Sequence, residues 1–512
     1  MSLADHIAQT DFDTLSPLIA RWAQLQPDAP ALADDHSRIS YAQLDRDMNR
    51  VAAALQRDGV APGQAIAICA QSSVAYATTY LGALRAGVVV APLAPSSTPE
   101  TLAVMIRDAD AQLVFVDTST QALMPETPCP RIWLDDQAPA ETQWSDWLAG
   151  EHAPVAPVDV APAHPFNIIY SSGTTGTPKG IVQSHAMRWA HIKRGSTYDY
   201  SPQTVTLLST PLYSNTTLVI FFPTLANGGL VRLMPKFDAG RYLQLAQDEG
   251  VTHTMLVPVQ YHRLLAHERF DDHDLSRFQY KFCTSAPMPA ERKAEVLRRW
   301  PGGLVEFYGM TEGGASFILN AHQHPNKLHT VGQPASGCVV KLIDENEQEL
   351  PPGVKGEVVG HSKGMMNGYH GQPEKTRDAE WFDANGVRYI RTGDIGQMDE
   401  DGFLVLMDRR KDMVISGGFN IYPSDLEAQL RQHPAIDDAA VVGVPSEAWG
   451  ETPVAFVVLH QGSTENAESL REWFNARVGK TQRLSDLIVQ EELPRSAIGK
   501  VLKRELREQY TA

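Results

Sequence analysis

Apolar residues along this chain recur with two different periods, and the two alternate. Behind Ser40, whose spacing to Gln43 is that of a capping box, apolar side chains return at helical period as far as Leu55, which predicts a helix. Residues 64–70 form a short, nearly unbroken apolar run that predicts a buried strand. Helical period resumes over 73–86, and 88–93 is strand-like again. Further strand-like runs occupy 113–116, 167–170, 205–208 and 230–233. This alternation predicts an α/β fold in which parallel sheets are covered by helices. No internal repeat interrupts it, and the Pro- and Ala-rich stretch 153–165 reads as a connector.

The pattern changes near Asp408. A dense charge run, Asp408-Arg409-Arg410-Lys411-Asp412, separates a strand-like stretch at 403–407 from a short apolar one at 413–415, and the pair Gly417-Gly418 follows. Ser424-Asp425-Leu426-Glu427 has capping-box spacing and predicts a helix start. Strand-like runs at 439–444 and 454–459 precede helical ones at 467–478 and 500–509. The expected organisation is a large domain over 1–408, a hinge at 409–412 and a small α+β domain over 413–512.

Composition narrows the function classes. The chain has 512 residues, enough for about three domains or large subdomains. Its 43% apolar and 21% charged residues are those of a globular protein. A formal charge of −17 disfavours a nucleic-acid surface, yet backbone N–H groups can still bind a small anion. The four cysteines, Cys69, Cys129, Cys283 and Cys338, have neither metal-ligand nor redox spacing, and free thiols are expected. The start of the chain shows no secretory pattern, and the most apolar stretches are too short to span a bilayer. A cytoplasmic protein without stable membrane insertion is expected.

The densest chemical signal is Tyr170-Ser171-Ser172-Gly173-Thr174-Thr175-Gly176-Thr177-Pro178-Lys179-Gly180. A strand-like run enters it and a helical pattern follows from about Ser184. The glycines let backbone N–H groups approach an anion, the hydroxyls add donors, and Lys179 adds a charge. The lysine spacing is not that of the P-loop ATPases. Taken alone, such a loop is a surface turn; after a strand, with these elements in series, it is a phosphate site.

The loop resembles the signature of the adenylate-forming superfamily, which includes acyl-CoA synthetases, luciferases and peptide-synthetase adenylation domains. The segments 80–87, Tyr308-Gly309-Met310-Thr311-Glu312, Arg391-Thr392-Gly393-Asp394, 408–427 and 494–500 are similar to further motifs of that superfamily, in order along most of the chain. The resemblance implies a large N-terminal domain of helix-covered parallel sheets plus a barrel-like subdomain, and a small mobile α+β C-terminal domain. It implies attack of a carboxylate on the α-phosphate of ATP, with pyrophosphate leaving, then transfer of the acyl group to coenzyme A.

The roles that the resemblance implies are these. Ser171, Ser172, Gly173, Thr174, Thr175, Gly176 and Lys179 bind the phosphates. Glu312 ligates Mg²⁺, Thr311 bonds a phosphate, and Tyr308 packs on the adenine beside the wall Ser285-Ala286-Pro287. Asp394 accepts from the ribose hydroxyls, supported by Arg409. Lys500 is the catalytic lysine of the small domain, Lys411 is the hinge, and Gly417 and Gly418 pass the pantetheine arm of CoA. In isolation each residue has a plainer reading: a capping Thr, a Gly-Asp turn, a solvated lysine beside a helix start.

The acyl pocket is expected from Tyr213, Ser214, Thr217, Val259 and Gly309 and their neighbours. Many CoA ligases carry a histidine where this chain has Ser214, and no aspartate for an amino-acid substrate occurs over 211–224. These segments suit a fatty or an aryl (arylpropenoic) acid. The expected function is an AMP-forming acid–CoA ligase, with a carrier-protein-loading enzyme or a luciferase-type oxygenase as alternatives. The expected partners are the carboxylic acid, ATP and CoA, without nucleic acid, and a homodimer is an allowed oligomeric state.

Overall fold

A computed structural model describes residues 3–126, 128–135, 142–171, 178–409, 412–416, 419–446, 449–479, 482–496 and 499–511. The chain gathers into two compact units. The larger holds Met1–Leu328, Ala335–Val339 and Gly360–Ile390; the second holds His329–Pro334, Val340–Val359 and Arg391–Ala512.

The larger unit is built on two mostly parallel sheets. In the first, Pro30–Ala33, Leu230–Leu233, Val205–Leu208, His253–Leu256, Tyr280–Cys283 and Gly303–Gly309 run parallel in that spatial order. Antiparallel strands, Arg38–Ser40 and Ser316–Asn320, flank them. In the second, Arg131–Trp133, Ala111–Val116, Ala65–Cys69, Val89–Pro92 and Pro165–Ser171 are parallel, followed by antiparallel Lys179–Ser184 and Gly368–Tyr369. The strands are apolar along their length because helices cover the sheets: Ile66, Ile68, Val90, Leu208 and Val231 are all buried. Each such side chain contributes about 1.5–3 kcal/mol on burial. One helix start follows the cap read from sequence, Ser40, and a second helix starts from Ser73 in the same way. Ser40 accepts from Gln43 N ahead of Tyr41–Arg57, and Ser73 accepts from Tyr76 N ahead of Val74–Arg85.

In the second unit, Leu404–Arg409 pairs antiparallel with residues 394–398. The C-terminal part is one sheet in the order Phe419–Ile421, Val414–Ser416, Gly450–Leu459, Ile436–Ser446, with Asp486–Val489 parallel to Gly450–Leu459. Side chains alternate across it. Val441 and Val457 pack with Leu426, Leu470 and Phe474, whereas Val442 and Phe456 pack with Leu493 and Leu506.

The helix expected from about Ser184 is His185–Gly195, capped by Ser184, and the strand Lys179–Ser184 precedes it. Two local expectations are corrected. Ser424 is not a cap, because the helix is Pro423–Leu430, with proline in its first turn and Tyr422 before it. The last helix is Lys503–Thr511, so Lys500 precedes it. The mixed α/β class stands. Among the described residues no helix is long and apolar enough to cross a membrane.

Candidate active site

Most of the expected nucleotide and acyl residues of the larger unit sit just beyond the C-terminal ends of neighbouring strands. Thr210–Ser214 follow Val205–Leu208, Pro258 and Val259 follow His253–Leu256, Ser285–Pro287 follow Tyr280–Cys283, and Thr311 follows Gly303–Gly309. In open parallel sheets, ligands bind in the crevice outside those ends.

The strands on either side of the loop expected to bind phosphate pair as a hairpin. Ser171 pairs with Lys179 at the end of the ladder between Pro165–Ser171 and Lys179–Ser184. Ser172, Gly173, Thr174, Thr175 and Gly176 lie outside the described residues. Lys179 Nζ stands 5.0 Å from the ring centroid of Tyr369, a residue on the next strand of the same sheet, opposite Ile181. The Tyr369 hydroxyl donates to Glu312 Oε1 at 2.9 Å. Burial and the adjacent Glu312 carboxylate push the phenol well up, so it stays a donor. Lys179, Tyr369 and Glu312 therefore form one row.

Thr311 and Glu312 lie in the turn between Gly303–Gly309 and Ser316–Asn320. Two contacts fix its backbone: Gln183 Nε2 donates to the Thr311 carbonyl at 2.7 Å, and Met366 N–H to the Glu312 carbonyl at 2.8 Å. Gly313 has φ 74°, and a Cβ there would come within 1.8 Å of the Gly364 carbonyl oxygen, so this turn requires glycine. Tyr308 stands opposite Phe317 with ring centroids 5.7 Å apart. Glu312 offers a half-buried carboxylate with one oxygen oriented by a hydroxyl, a donor suited to a hard cation that also takes phosphate oxygens.

Ser285 is a non-glycine residue at φ 81°, an unfavourable conformation of the kind that concentrates at functional sites. Its hydroxyl lies 2.5 Å from Thr216 Oγ1, which ties the Ser285-Ala286-Pro287 wall to the first turn of the helix Asn215–Ala226. Ser214 caps that helix by accepting from Thr216 N. Thr217 is fully buried, and its hydroxyl is engaged with Pro211 O at 2.6 Å and Thr210 Oγ1 at 2.8 Å, so it serves the turn. Tyr213 and Val259 are half-buried and Gly309 is exposed.

In the second unit, Asp394 and Arg409 are directly opposed on antiparallel strands; the Arg409 side chain lies outside the described residues. Asp394 N–H donates to Thr392 Oγ1 at 3.0 Å, and the Thr392 hydroxyl donates to Val358 O at 2.8 Å. Lys500 sits on a tight turn. Ser496 N–H donates to Lys500 O at 2.8 Å, Lys500 N–H to Ser496 Oγ at 3.2 Å, and Gly499 takes φ 75°. Arg495 Nη1 donates to Gly499 O at 2.6 Å, and its other amino group pairs with Asp438. Lys411, Gly417 and Gly418 lie outside the described residues.

Sequence reasoning missed Tyr369, Gln183, Arg188 and Thr216. Each acts through a contact between residues distant in the chain, and no local pattern marks them.

With this geometry in place, the comparisons with known proteins are specific. The AMP-binding enzyme family matches residues 19–370, and the AMP-binding enzyme C-terminal domain matches 425–500. The chain belongs to the AMP-binding enzyme family and is an adenylate-forming enzyme. It is 31% identical to a feruloyl-CoA synthase of an Amycolatopsis species, over 96% of this chain and 98% of that protein. It is 29% identical to the fatty acid–[acyl-carrier-protein] ligase ScoC of Streptomyces coeruleorubidus, over 99% and 98%. The ATP-bound crystal structure of MatB from Rhodopseudomonas palustris superposes with a TM-score of 0.86 at 29% identity, covering 97% of this chain and 99% of that one.

Proposed function

We propose that this protein is an AMP-forming acid–CoA ligase acting on an apolar carboxylic acid, fatty or aryl (arylpropenoic). The observation that carries the reading is the row Lys179–Tyr369–Glu312 beside the phosphate hairpin: a cation and an oriented carboxylate held by one phenol. Two anions, a carboxylate and a triphosphate, must meet, and the work of such a site is charge neutralisation and positioning.

In the first half-reaction a carboxylate oxygen of the acid bonds to the α-phosphorus, and the bond from that phosphorus to pyrophosphate breaks. The phosphate hairpin with Lys179 holds the leaving pyrophosphate, Thr311 bonds a phosphate oxygen, and Lys500 carries the charge that offsets the developing negative charge on the α-phosphate. Glu312 would hold Mg²⁺, which when bound neutralises phosphate oxygens. Tyr308 and Ser285-Ala286-Pro287 seat the adenine, while Asp394, with Arg409, takes the ribose. Tyr213, Ser214, Val259 and Gly309 border the acyl group, with Thr217 holding the turn behind them. In the second half-reaction the CoA thiol releases its proton to solvent, its sulfur bonds to the acyl carbon, and the bond from that carbon to the bridging oxygen breaks, so that the oxygen and its electron pair leave with AMP. Lys411 is the hinge between the two steps, and Gly417 and Gly418 admit the pantetheine arm. Similarity to a feruloyl-CoA synthase supports CoA as acceptor and an aryl acid as substrate; similarity to an acyl-carrier-protein ligase favours a carrier protein as the second reading.

The test is pyrophosphate release over a panel of ferulate, 4-hydroxybenzoate, octanoate, palmitate and malonate, with and without CoA, followed by mass spectrometry of thioesters. An acid-dependent release that turns over only with CoA and yields acyl-CoA supports the ligase. Steady release without CoA and without thioester overturns the acceptor, and release with malonate alone overturns the apolar acid.

A further inference from the structure

Arg188 has 1% of its surface exposed and lies between the rings of Phe166 and Phe222, at 5.6 and 5.8 Å from their centroids. Buried guanidinium groups ordinarily face a carboxylate. Here, among the described residues, every acceptor is neutral: Nη1 donates to Asn215 Oδ1 at 2.8 Å, and Nη2 donates to Asn167 Oδ1 at 3.3 Å and to Gln183 Oε1. His191 Nδ1 stands 3.4 Å from Nη1, and burial holds that imidazole far below its ordinary value, hence neutral. Burial draws Arg188 down to about 10, which leaves it a cation at neutral pH. Burying a charge without a counter-charge costs stability, so the residue calls for a reason other than stability.

The acceptors supply the reason. Asn167 lies on the strand that enters the phosphate hairpin, and Gln183 on the strand that leaves it. Asn215 opens the helix of the acyl segment. With Gln183 Oε1 taken by the guanidinium, the amide is forced to present Nε2, which donates to the Thr311 carbonyl at 2.7 Å. One planar fork thus holds three amides: Asn167 and Gln183 on the two strands of the hairpin, and Asn215 in the first turn of the acyl helix, whose Oδ1 also lies 3.4 Å from Gln183 Nε2.

We propose that Arg188 is a positioning residue of the adenylation reaction: through Gln183 it places the Thr311–Glu312 turn, and through Asn215 it places the acyl helix. The inference rests on the adenylation reading above. Its signature is that the two arms separate kinetically. Gln183→Leu cuts the phosphate arm and Asn215→Ala the acyl arm, whereas Arg188→Met cuts both and Arg188→Lys keeps the charge without the fork.

The experiment is ATP–pyrophosphate exchange by the full chain with the best acid of the panel, varying ATP and acid in turn, beside calorimetry of ATP with Mg²⁺ and thermal melting. Gln183→Leu is expected to raise the KM and Kd for ATP about tenfold with the acid KM within about twofold, and Asn215→Ala to do the reverse. Arg188→Lys is expected to fall between wild type and Arg188→Met in both constants. If Arg188→Met does not fold, the two amide variants decide. Equal shifts of both KM values in each amide variant, or lowered melting with both constants unchanged, overturn the proposal. Wild type that binds ATP but exchanges with no acid overturns the functional reading instead.

Discussion

In the larger unit the site charges are held by side chains from elsewhere in the chain; around Lys500 it is the backbone of a short turn that is fixed. Glu312 is oriented by Tyr369, fifty-seven positions away, and Lys179 lies over the same ring. The Lys500 turn is closed by bonds within residues 495–500 and anchored outside it by the pair that Arg495 makes with Asp438. The difference teaches how each is used. A cradle for ATP gains from groups set before the ligand arrives, because reorganisation at the moment of reaction is avoided. On the proposed reading Lys500 serves one half-reaction, and a lysine used in that way needs an accurately placed stem.

The sharpest way to break this comparison is Lys500→Ala. A loss of about 10²–10³-fold in adenylation is expected, with thioester formation from supplied acyl-adenylate nearly intact. Equal loss in both half-reactions, measured in rapid quench, removes the distinction. Tyr369→Phe comes next. It removes the donor to Glu312 and is expected to lower adenylation about tenfold and to raise the Mg²⁺ concentration needed for half-maximal rate. An unchanged Mg²⁺ dependence would separate Tyr369 from the metal. Asp438→Asn weakens the anchor of Arg495 and is expected to slow adenylation several-fold, about 1 kcal/mol, with unchanged ATP affinity by calorimetry.

A separate effect concerns stability in acid. Burial pulls His185 down to about 3 and His253 to about 4. Both folded values lie below the unfolded value of about 6.5. The unfolded chain therefore binds more protons, and the stability these neutral rings allow is full above about 6.5 and falls as pH drops toward 3–4, by at most about 1.4 kcal/mol per unit and per histidine. His185→Gln should lose less melting temperature between pH 7 and 5 than wild type. Parallel loss in both proteins would take His185 out of the acid response.

Much of the scaffold was legible because it is written in local periodicity: 205–208 and 230–233 are strands at the predicted positions, Ser40 caps the helix it was expected to cap, and the helical stretch read over 73–86 is the helix Val74–Arg85. Where reading failed, a longer-range or stronger local effect prevailed. Residues 179–184, left unassigned between the loop and the helix, are a strand because they pair with 165–171 on one side and with 368–369, far along the chain, on the other. Pro423 moved the helix start ahead of Ser424. The motif residues were visible as types in order, but the groups that orient them were not. Arg188 and Gln183 look like any polar residues of an amphipathic stretch until the fold brings Asn167, Asn215 and Thr311 around them.

The central claim, that a carboxylate attacks the α-phosphate, is tested most directly with an acid labelled with oxygen-18 in its carboxyl group. After complete turnover with ATP and CoA, mass spectrometry should find one labelled oxygen in AMP and none in pyrophosphate. Label in inorganic phosphate, with ADP as the nucleotide product, would place the attack on the γ-phosphate and contradict the account.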